Sequence, residues 1–264
     1  MEPSFDITPE HRLQFERAGA LRLPGFLPAA DVQAMADRLW TDLGRRFGID
    51  RRRRETWTVE RPGQYQALQR SGAFRALGSP RLAALADAFL GEGRWVRSGY
   101  WGQPLVTFPT GNWDVPHASW HLDFPAPTSP DDLSIIGIFT FLEPARPGGG
   151  GTVYVSGSHR VIADYARHAA DVEQLRSLDV RALLKQEEPW FADLFTPSDG
   201  DRVRRFMVEG GHARGMAVRV EEMTGDPGDM ILVHPQVLHA AAANALDTPR
   251  MMLTQTLSRQ CEIS

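Results

Sequence analysis

Lysine and cysteine are almost missing from this chain of 264 residues: Lys185 is the sole lysine among 29 basic residues, and Cys261 is the sole cysteine. A single cysteine excludes an internal disulfide and makes a reducing cytoplasm the expected compartment. With arginine carrying nearly all the positive charge, any task that needs a cation falls to a planar guanidinium. No run of about 18 apolar residues occurs, so no membrane-spanning helix is expected. The opening MEPSFDITPEHRLQFERAGA lacks the basic start and apolar stretch of a secretory leader. An excess of positive charge is lacking too: 29 Lys plus Arg against 33 Asp plus Glu leave a net charge of -4, which argues against a nucleic-acid partner. Internal repeats and low-complexity tracts are absent, which excludes solenoids and disordered arrays. What is there is a globular composition, 42% hydrophobic and 23% charged, able to bury a sizeable core. One domain spanning 1–264 is expected, as monomer or homodimer.

The chain changes texture near its middle. Thr8 is placed to cap a short helix over 8–18, with Pro9 in its first turn. A strand-like run covers Ala20 to Leu23, and Val32, Met35, Leu39, Leu43 and Phe47 recur at helical spacing over 29–47. Arg51 to Arg54 read as a solvated loop. Helical periodicity returns at 80–90. From Trp95 onward, β-branched and aromatic runs cut by Gly and Pro take over: WVRSGYWGQPLVTF, LSIIGIFTFLE, GTVYVSG, MAVRVEE, GDMILVH and MMLTQTLS. One interruption, 161–215, reads as a helix through Val161, Tyr165, Val172, Leu175 and Leu178, followed by EEPWFADLFTPSDG. The fold class expected is mainly β with N-terminal helices (α+β), with two sheets face to face and a helical insertion at 161–215.

Within the strand-rich half, Ser119-Trp120-His121-Leu122-Asp123-Phe124 places an imidazole and a carboxylate two residues apart, on one face if the chain is extended. Far downstream, GDMILVHPQVLH supplies His239. Two histidines and one carboxylate from separate strands form the facial set of non-haem Fe(II) oxygenases, which leaves three coordination positions open for a chelating oxo-acid and dioxygen. Eleven residues beyond His239, Arg250 opens a strand whose alternate face is Arg250, Met252, Thr254 and Thr256. A guanidinium there is suited to a bidentate grip on a carboxylate.

The assembly of WHLD, GGGTVYVSGSH, GD with a following histidine, and then Asn and Arg five and eleven residues past that histidine resembles the phytanoyl-CoA dioxygenase superfamily of Fe(II)- and 2-oxoglutarate-dependent oxygenases. The likeness runs from EHRLQFERAGALRLPGFL to the strand after Arg250, apart from 161–215. It implies a double-stranded β-helix (jelly-roll, cupin-like) core. It implies that His121, Asp123 and His239 hold Fe(II), and that Arg250 pairs with the distal carboxylate of 2-oxoglutarate. Asn244, Phe139 and Gln103 stand where the family makes further cosubstrate contacts. The reaction implied is hydroxylation of a C–H bond in a small-molecule substrate by dioxygen, with 2-oxoglutarate converted to succinate and CO2. Desaturation and ring closure are open to the same chemistry, whereas Asp123 argues against halogenation. Two residues after the distal histidine, the family's frequent hydroxyl residue is replaced by Ala241. Nothing in the sequence points to an acyl-CoA substrate.

Two other readings use the same residues: an inactive metal-binding β-sandwich module, and a zinc hydrolase with a metal-bound water. Arg250 argues against the hydrolase, which needs no cosubstrate anchor. His234, before Pro235, is expected to be structural. SGSHR is expected to form a turn, and Gly148 to Gly151 a flexible loop, since no P-loop lysine or helix follows. Trp190, Phe191 and Phe195 either line a lid over the site or pin the insertion to the sheet.

Overall fold

The computed structural model describes residues 6–124, 133–168 and 180–260. Cys261 and the predicted helical positions Val172, Leu175 and Leu178 lie outside them. Two antiparallel sheets stack face to face. The larger has strand order β1 (Ala20–Leu23), β7 (Met230–Val233), β3 (Ile135–Phe141), β9 (Arg250–Ser258), β2 (Gln103–Thr107). The smaller runs β5 (Gly211–Ala213), β6 (Met216–Glu222), β4 (Thr152–Ser156), β8 (His239–Ala241). This is the expected jelly-roll core.

Alternation along each strand divides the apolar residues among three packing layers. Ile138, Leu232, Met251 and Leu253 leave the outer face of the five-stranded sheet to meet the N-terminal helices, while Phe139, Phe141, Ile231, Val233 and Met252 point between the sheets. Because both faces of that sheet are covered, its strands read as continuous apolar runs such as SIIGIFTF and DMILV rather than as alternation. The covering helices are α1 (Pro9–Ala18), α2 (Ala29–Phe47), the one-turn α3 (Gln66–Arg70) and α4 (Pro80–Leu90). Thr8 caps α1 by accepting from the His11 amide, as the sequence predicts, and Gly19 ends it in the left-handed conformation (φ 73°). In α2 the predicted stripe of Val32, Met35, Leu39 and Leu43 is fully buried, each side chain contributing about 1.5–3 kcal/mol.

The insertion packs on the other side. It comprises α5 (Ser158–His168), α6 (Val180–Glu187), α7 (Pro189–Leu194), a π-helical turn at Arg204–Glu209 and strand β5. Trp190, Phe191 and Phe195 are buried with Val153, Val155, Val218 and Val220 on the outer face of the smaller sheet. They pin the insertion down. Arg202, itself buried, reinforces this by donating to the carbonyls of Val115, Pro116, Leu194 and Thr196.

The structure adds to or changes three local expectations. SGSHR turns at Gly157 with Ser158 satisfying backbone groups, as expected, and the turn opens a helix: the Ser158 hydroxyl donates to the Val155 carbonyl (2.7 Å) and accepts from the Leu238 amide (2.9 Å). The Gly148–Gly151 segment is tied down, not flexible. Its Gly148 and Gly151 amides donate to the two carboxylate oxygens of Glu222, and a Cβ at Gly150 would collide with Asn244. The Arg51–Arg54 run is partly engaged, Arg51 pairing with Asp37 and Glu143, and Arg54 with Asp247. Among the described residues no helix is long and apolar enough to cross a membrane.

Candidate metal centre

His121 and Asp123 do not lie on a regular strand. His121 forms an isolated bridge with His239, exchanging both backbone hydrogen bonds (3.0 and 3.1 Å), and Asp123 follows in a bend. The register of that bridge brings the two imidazoles side by side, tilted 53° to one another, with ring centroids 4.4 Å apart. The Asp123 carboxylate lies 3.6 Å from His121 Nε2 and 3.5 Å from His239 Nε2. Ligand atoms of all three residues fall within 4.8 Å of one another.

Each ring is held by its other nitrogen. His121 Nδ1 is 2.8 Å from the Ser119 carbonyl and His239 Nδ1 is 3.0 Å from the Val237 carbonyl. A carbonyl can only accept, so Nδ1 carries a proton in both, and both Nε2 atoms are turned toward the carboxylate, where each can take up a proton or a metal ion. Ser119 reaches this geometry at φ 64°, a left-handed conformation that costs a non-glycine residue about 1–3 kcal/mol. Sequence reasoning missed Ser119 and Val237, since both act through a main-chain carbonyl and any residue supplies one.

The charges are tuned together. A hydrogen bond from His239 holds the Asp123 carboxyl below the usual carboxylate range, against the effect of burial. Burial works against a charged His239, yet the Asp123 carboxylate outweighs it and raises the imidazole above its ordinary value. The cluster therefore favours a positive charge between carboxylate and rings. Ligands at right angles around a divalent ion, each about 2.0–2.2 Å from it, stand about 3 Å apart, and the two histidine–carboxylate separations of 3.5–3.6 Å are close to that spacing.

Arg250 sits deeper in the barrel, directly across from Thr107 in the β2–β9 register. Only 4% exposed, it donates from Nη2 to the Thr107 hydroxyl (2.7 Å), while its Nε has no hydrogen-bond partner. Burial pushes the guanidinium down to about 10, with nearby Arg61 acting in the same direction and Glu222 opposing. It forms no ion pair with a carboxylate among the described residues. A buried, uncompensated cation of this kind is costly unless an anion comes to it.

The remaining predicted residues surround this axis. Phe139 presents its ring edge to His239, centroids 6.3 Å apart. Gln103 lies opposite Thr254 on the same interior face as Arg250, about four residues or roughly 13 Å along the strand from it. Its amide makes no hydrogen bond among the described residues. Asn244 is completely buried, and its side chain is engaged within the chain: it donates to the Thr107 and Thr248 carbonyls (3.1 and 2.8 Å) and accepts from the Leu246 amide (3.0 Å). It ties the end of β2 to the turn before β9 and so fixes where Arg250 emerges. Opposite Ala241 across the β4–β8 ladder stands Thr152, a buried residue on the same face that brings a hydroxyl to the place where Ala241 lacks one.

A family model described as phytanoyl-CoA dioxygenase matches residues 15–252. No curated protein matches the sequence. Several solved structures share the fold. The epimerase SnoN from nogalamycin biosynthesis, in complex with Fe3+, alpha ketoglutarate and nogalamycin RO, is 20% identical over 95% of this chain and 82% of its own, with a TM-score of 0.52. HygX from Streptomyces hygroscopicus, with nickel and 2-oxoglutarate bound, is 17% identical over 97% of this chain and 88% of its own, at a TM-score of 0.58. EctD from S. alaskensis, with 2-oxoglutarate and 5-hydroxyectoine, is 18% identical over 96% and 76%, at 0.56.

Proposed function

Because the chain belongs to the phytanoyl-CoA dioxygenase family, we propose that it is a Fe(II)- and 2-oxoglutarate-dependent dioxygenase that hydroxylates an unactivated C–H bond of a small molecule, releasing succinate and CO2. The observation that carries this reading is the pairing of two sites: three convergent ligand atoms, and an anchoring cation with an orphaned Nε deeper in the same barrel. A zinc hydrolase accounts for the first and leaves the second without a purpose.

In this reading His121 and His239 hold the metal through Nε2 and Asp123 through a carboxylate oxygen. Bound iron and 2-oxoglutarate together supply the oxidising power, by oxidative decarboxylation of the cosubstrate at the expense of dioxygen. The protein's part is to bind and orient. Arg250 takes the distal carboxylate of the cosubstrate, and its bond to Thr107 pre-sets the guanidinium plane, so little reorganisation is needed on binding. Thr152 gives that carboxylate a hydroxyl in place of the one missing at Ala241. Phe139 walls the cosubstrate against His239 and keeps water from that side. Gln103, whose amide is unengaged among the described residues, lies on the Arg250 face and contacts cosubstrate or substrate.

Asp123 completes the ligand set and so argues against halogenation; among the outcomes that the same set allows, hydroxylation is the default reading. The neighbouring structures support the cofactors more strongly than the outcome, since one of them is an epimerase. The direct test is to load the protein anaerobically with Fe(II) and 2-oxoglutarate, admit oxygen, and measure succinate together with a product heavier by one oxygen across a panel of small molecules. Succinate with a hydroxylated product is expected. No succinate with any substrate, and none uncoupled, would contradict the proposal.

A further inference from the structure

Of the two histidines at the centre, His121 is the less secured. His239 is buried and opens β8, whereas the His121 side chain is 54% exposed and its backbone is fixed by one bridge rather than by a ladder. Its ring takes its orientation from the carbonyl of Ser119, a residue held at φ 64°. Such a backbone keeps its shape only where the surrounding structure over-determines it. Trp120 supplies one restraint. Its ring is buried in the cluster that seats the insertion, and its Nε1 donates back to the Pro116 carbonyl (2.8 Å), closing 116–120 into a turn.

A second restraint comes from 86 residues downstream. Arg202 donates from Nη2 to that same Pro116 carbonyl (3.2 Å) and from Nε to the Val115 carbonyl (2.9 Å). On its other side the guanidinium donates to the carbonyls of Leu194 (2.7 Å) and Thr196 (3.0 Å), both in the insertion. One planar group thereby joins the loop that carries His121 to the insertion at four carbonyls.

Pinning the insertion does not call for this residue. Trp190, Phe191 and Phe195 already bury it against the sheet, and packing of that kind is non-directional. A guanidinium only 4% exposed is a costly addition, because it meets no carboxylate among the described residues and lies over the Phe206 ring (4.8 Å). Four hydrogen bonds offset that cost. Unlike apolar contacts they weaken steeply away from their line, so they fix the Val115 and Pro116 peptides in orientation as well as in place.

We propose that Arg202 is a positioning residue for the metal centre: it presets the 115–120 loop so that His121 meets the ion in its ligating orientation without reorganisation. The inference rests on the reading of His121, Asp123 and His239 as iron ligands. It makes the insertion, which lies outside that ligand set, a determinant of iron affinity.

Anaerobic titration with Fe(II) tests it. Arg202→Met removes the donors and should weaken iron at least tenfold, within the roughly 10–100-fold that loss of a group orienting a ligand costs. Arg202→Lys keeps the charge without the planar fork and should recover little of that loss. Phe191→Leu loosens the insertion while keeping every Arg202 bond; its thermal midpoint should fall, with iron affinity within about twofold of wild type. With Co(II) at saturation in place of Fe(II), the visible bands, which report ligand geometry, should change in Arg202→Met and match the wild type in Phe191→Leu. Where Arg202→Met folds too poorly to titrate, Trp120→Phe decides, since it keeps a buried ring and removes only the second donor to Pro116; it too should weaken iron. Wild-type iron affinity in Arg202→Met or Trp120→Phe, full recovery in Arg202→Lys, or an equal loss in Phe191→Leu would overturn the proposal and leave the ligands standing, provided that His121→Ala loses iron. Unchanged iron binding in His121→Ala would overturn the ligand assignment itself, and this inference with it.

Discussion

Arg250 shows how a single side chain carries functional information once its surroundings are known. A guanidinium 4% exposed, with one hydroxyl partner and an unpaired Nε, lacks the compensation that buried charges ordinarily have. Truncating a charge that meets a carboxylate in such a place costs on the order of 2–5 kcal/mol of binding. Arg250→Ala is therefore expected to weaken 2-oxoglutarate at least tenfold in an anaerobic titration while leaving Fe(II) affinity largely intact; loss of both together would mean that the residue supports the fold rather than the cosubstrate. Thr152→Val makes a finer test at the same scale. If the hydroxyl opposite Ala241 serves the cosubstrate, this isosteric change should weaken 2-oxoglutarate several-fold, by the roughly 0.5–1.5 kcal/mol of one hydrogen bond, without shifting thermal stability downward. Asn244 behaves differently, because its three hydrogen bonds all stay within the chain. Asn244→Ala leaves the Thr107 and Thr248 carbonyls without their partner, so urea denaturation should show a loss of about 1–3 kcal/mol, accompanied by a secondary loss of cosubstrate affinity.

At the scale of elements, the strands were the most legible part of the chain. IIGIFTF and MILV became β3 and β7 as near-continuous apolar runs because the sheet is covered on both faces, while in β9 only the first half, MML, is apolar and buried and the Thr254–Thr256 stretch is not. The candidate ligands were legible from the His-x-Asp pair, the downstream His239 and Arg250 taken together with the family resemblance that their joint spacing carries; His239 and Arg250 open strands β8 and β9, whereas His121 is placed by a single bridge to His239. What could not be read was whatever depends on pairing between distant segments. The helix at Ser158 is held by a serine hydroxyl that bridges Val155 and Leu238, 80 residues away in the second case. The glycine segment at 148–151 is anchored by Glu222, which lies 71 and 74 residues from the amides it binds. The role of Thr107 follows from the β2–β9 register, which no local pattern announces. The insertion gives the element-scale prediction. With Trp190, Phe191 and Phe195 buried against the smaller sheet, hydrogen exchange over 186–200 should be slow in the metal-free protein and little changed by Fe(II) and 2-oxoglutarate. Rapid exchange that slows on loading would make this segment a lid.

The whole molecule stacks four layers, N-terminal helices, larger sheet, smaller sheet and insertion, and the metal centre lies between the two sheets where both contribute side chains. At the barrel rim, burial lowers His159 to about 4 and His234 to about 3, below the ordinary 6.5. A histidine that resists protonation when folded binds fewer protons than in the unfolded chain. Its contribution is fully present above pH 6.5 and is lost progressively as pH falls from there toward 4 and 3, at no more than about 1.4 kcal/mol per pH unit for each residue. Urea midpoints should therefore drop between pH 6.5 and 4.5, and less steeply in His234→Asn, which keeps an acceptor for the Gln236 amide but cannot titrate; an unchanged slope would assign the acid sensitivity to carboxylates instead. The account turns most of all on one site. Anaerobic calorimetric titration of Fe(II) into the wild-type protein and into His239→Ala tests it directly, because His239 is buried and its ring is oriented by Val237 alone on the far side. The account predicts one equivalent of iron in the wild type and an affinity loss in the variant exceeding the roughly 10–100-fold that removal of a ligand's hydrogen-bonding partner costs. Unchanged iron binding in His239→Ala would contradict it.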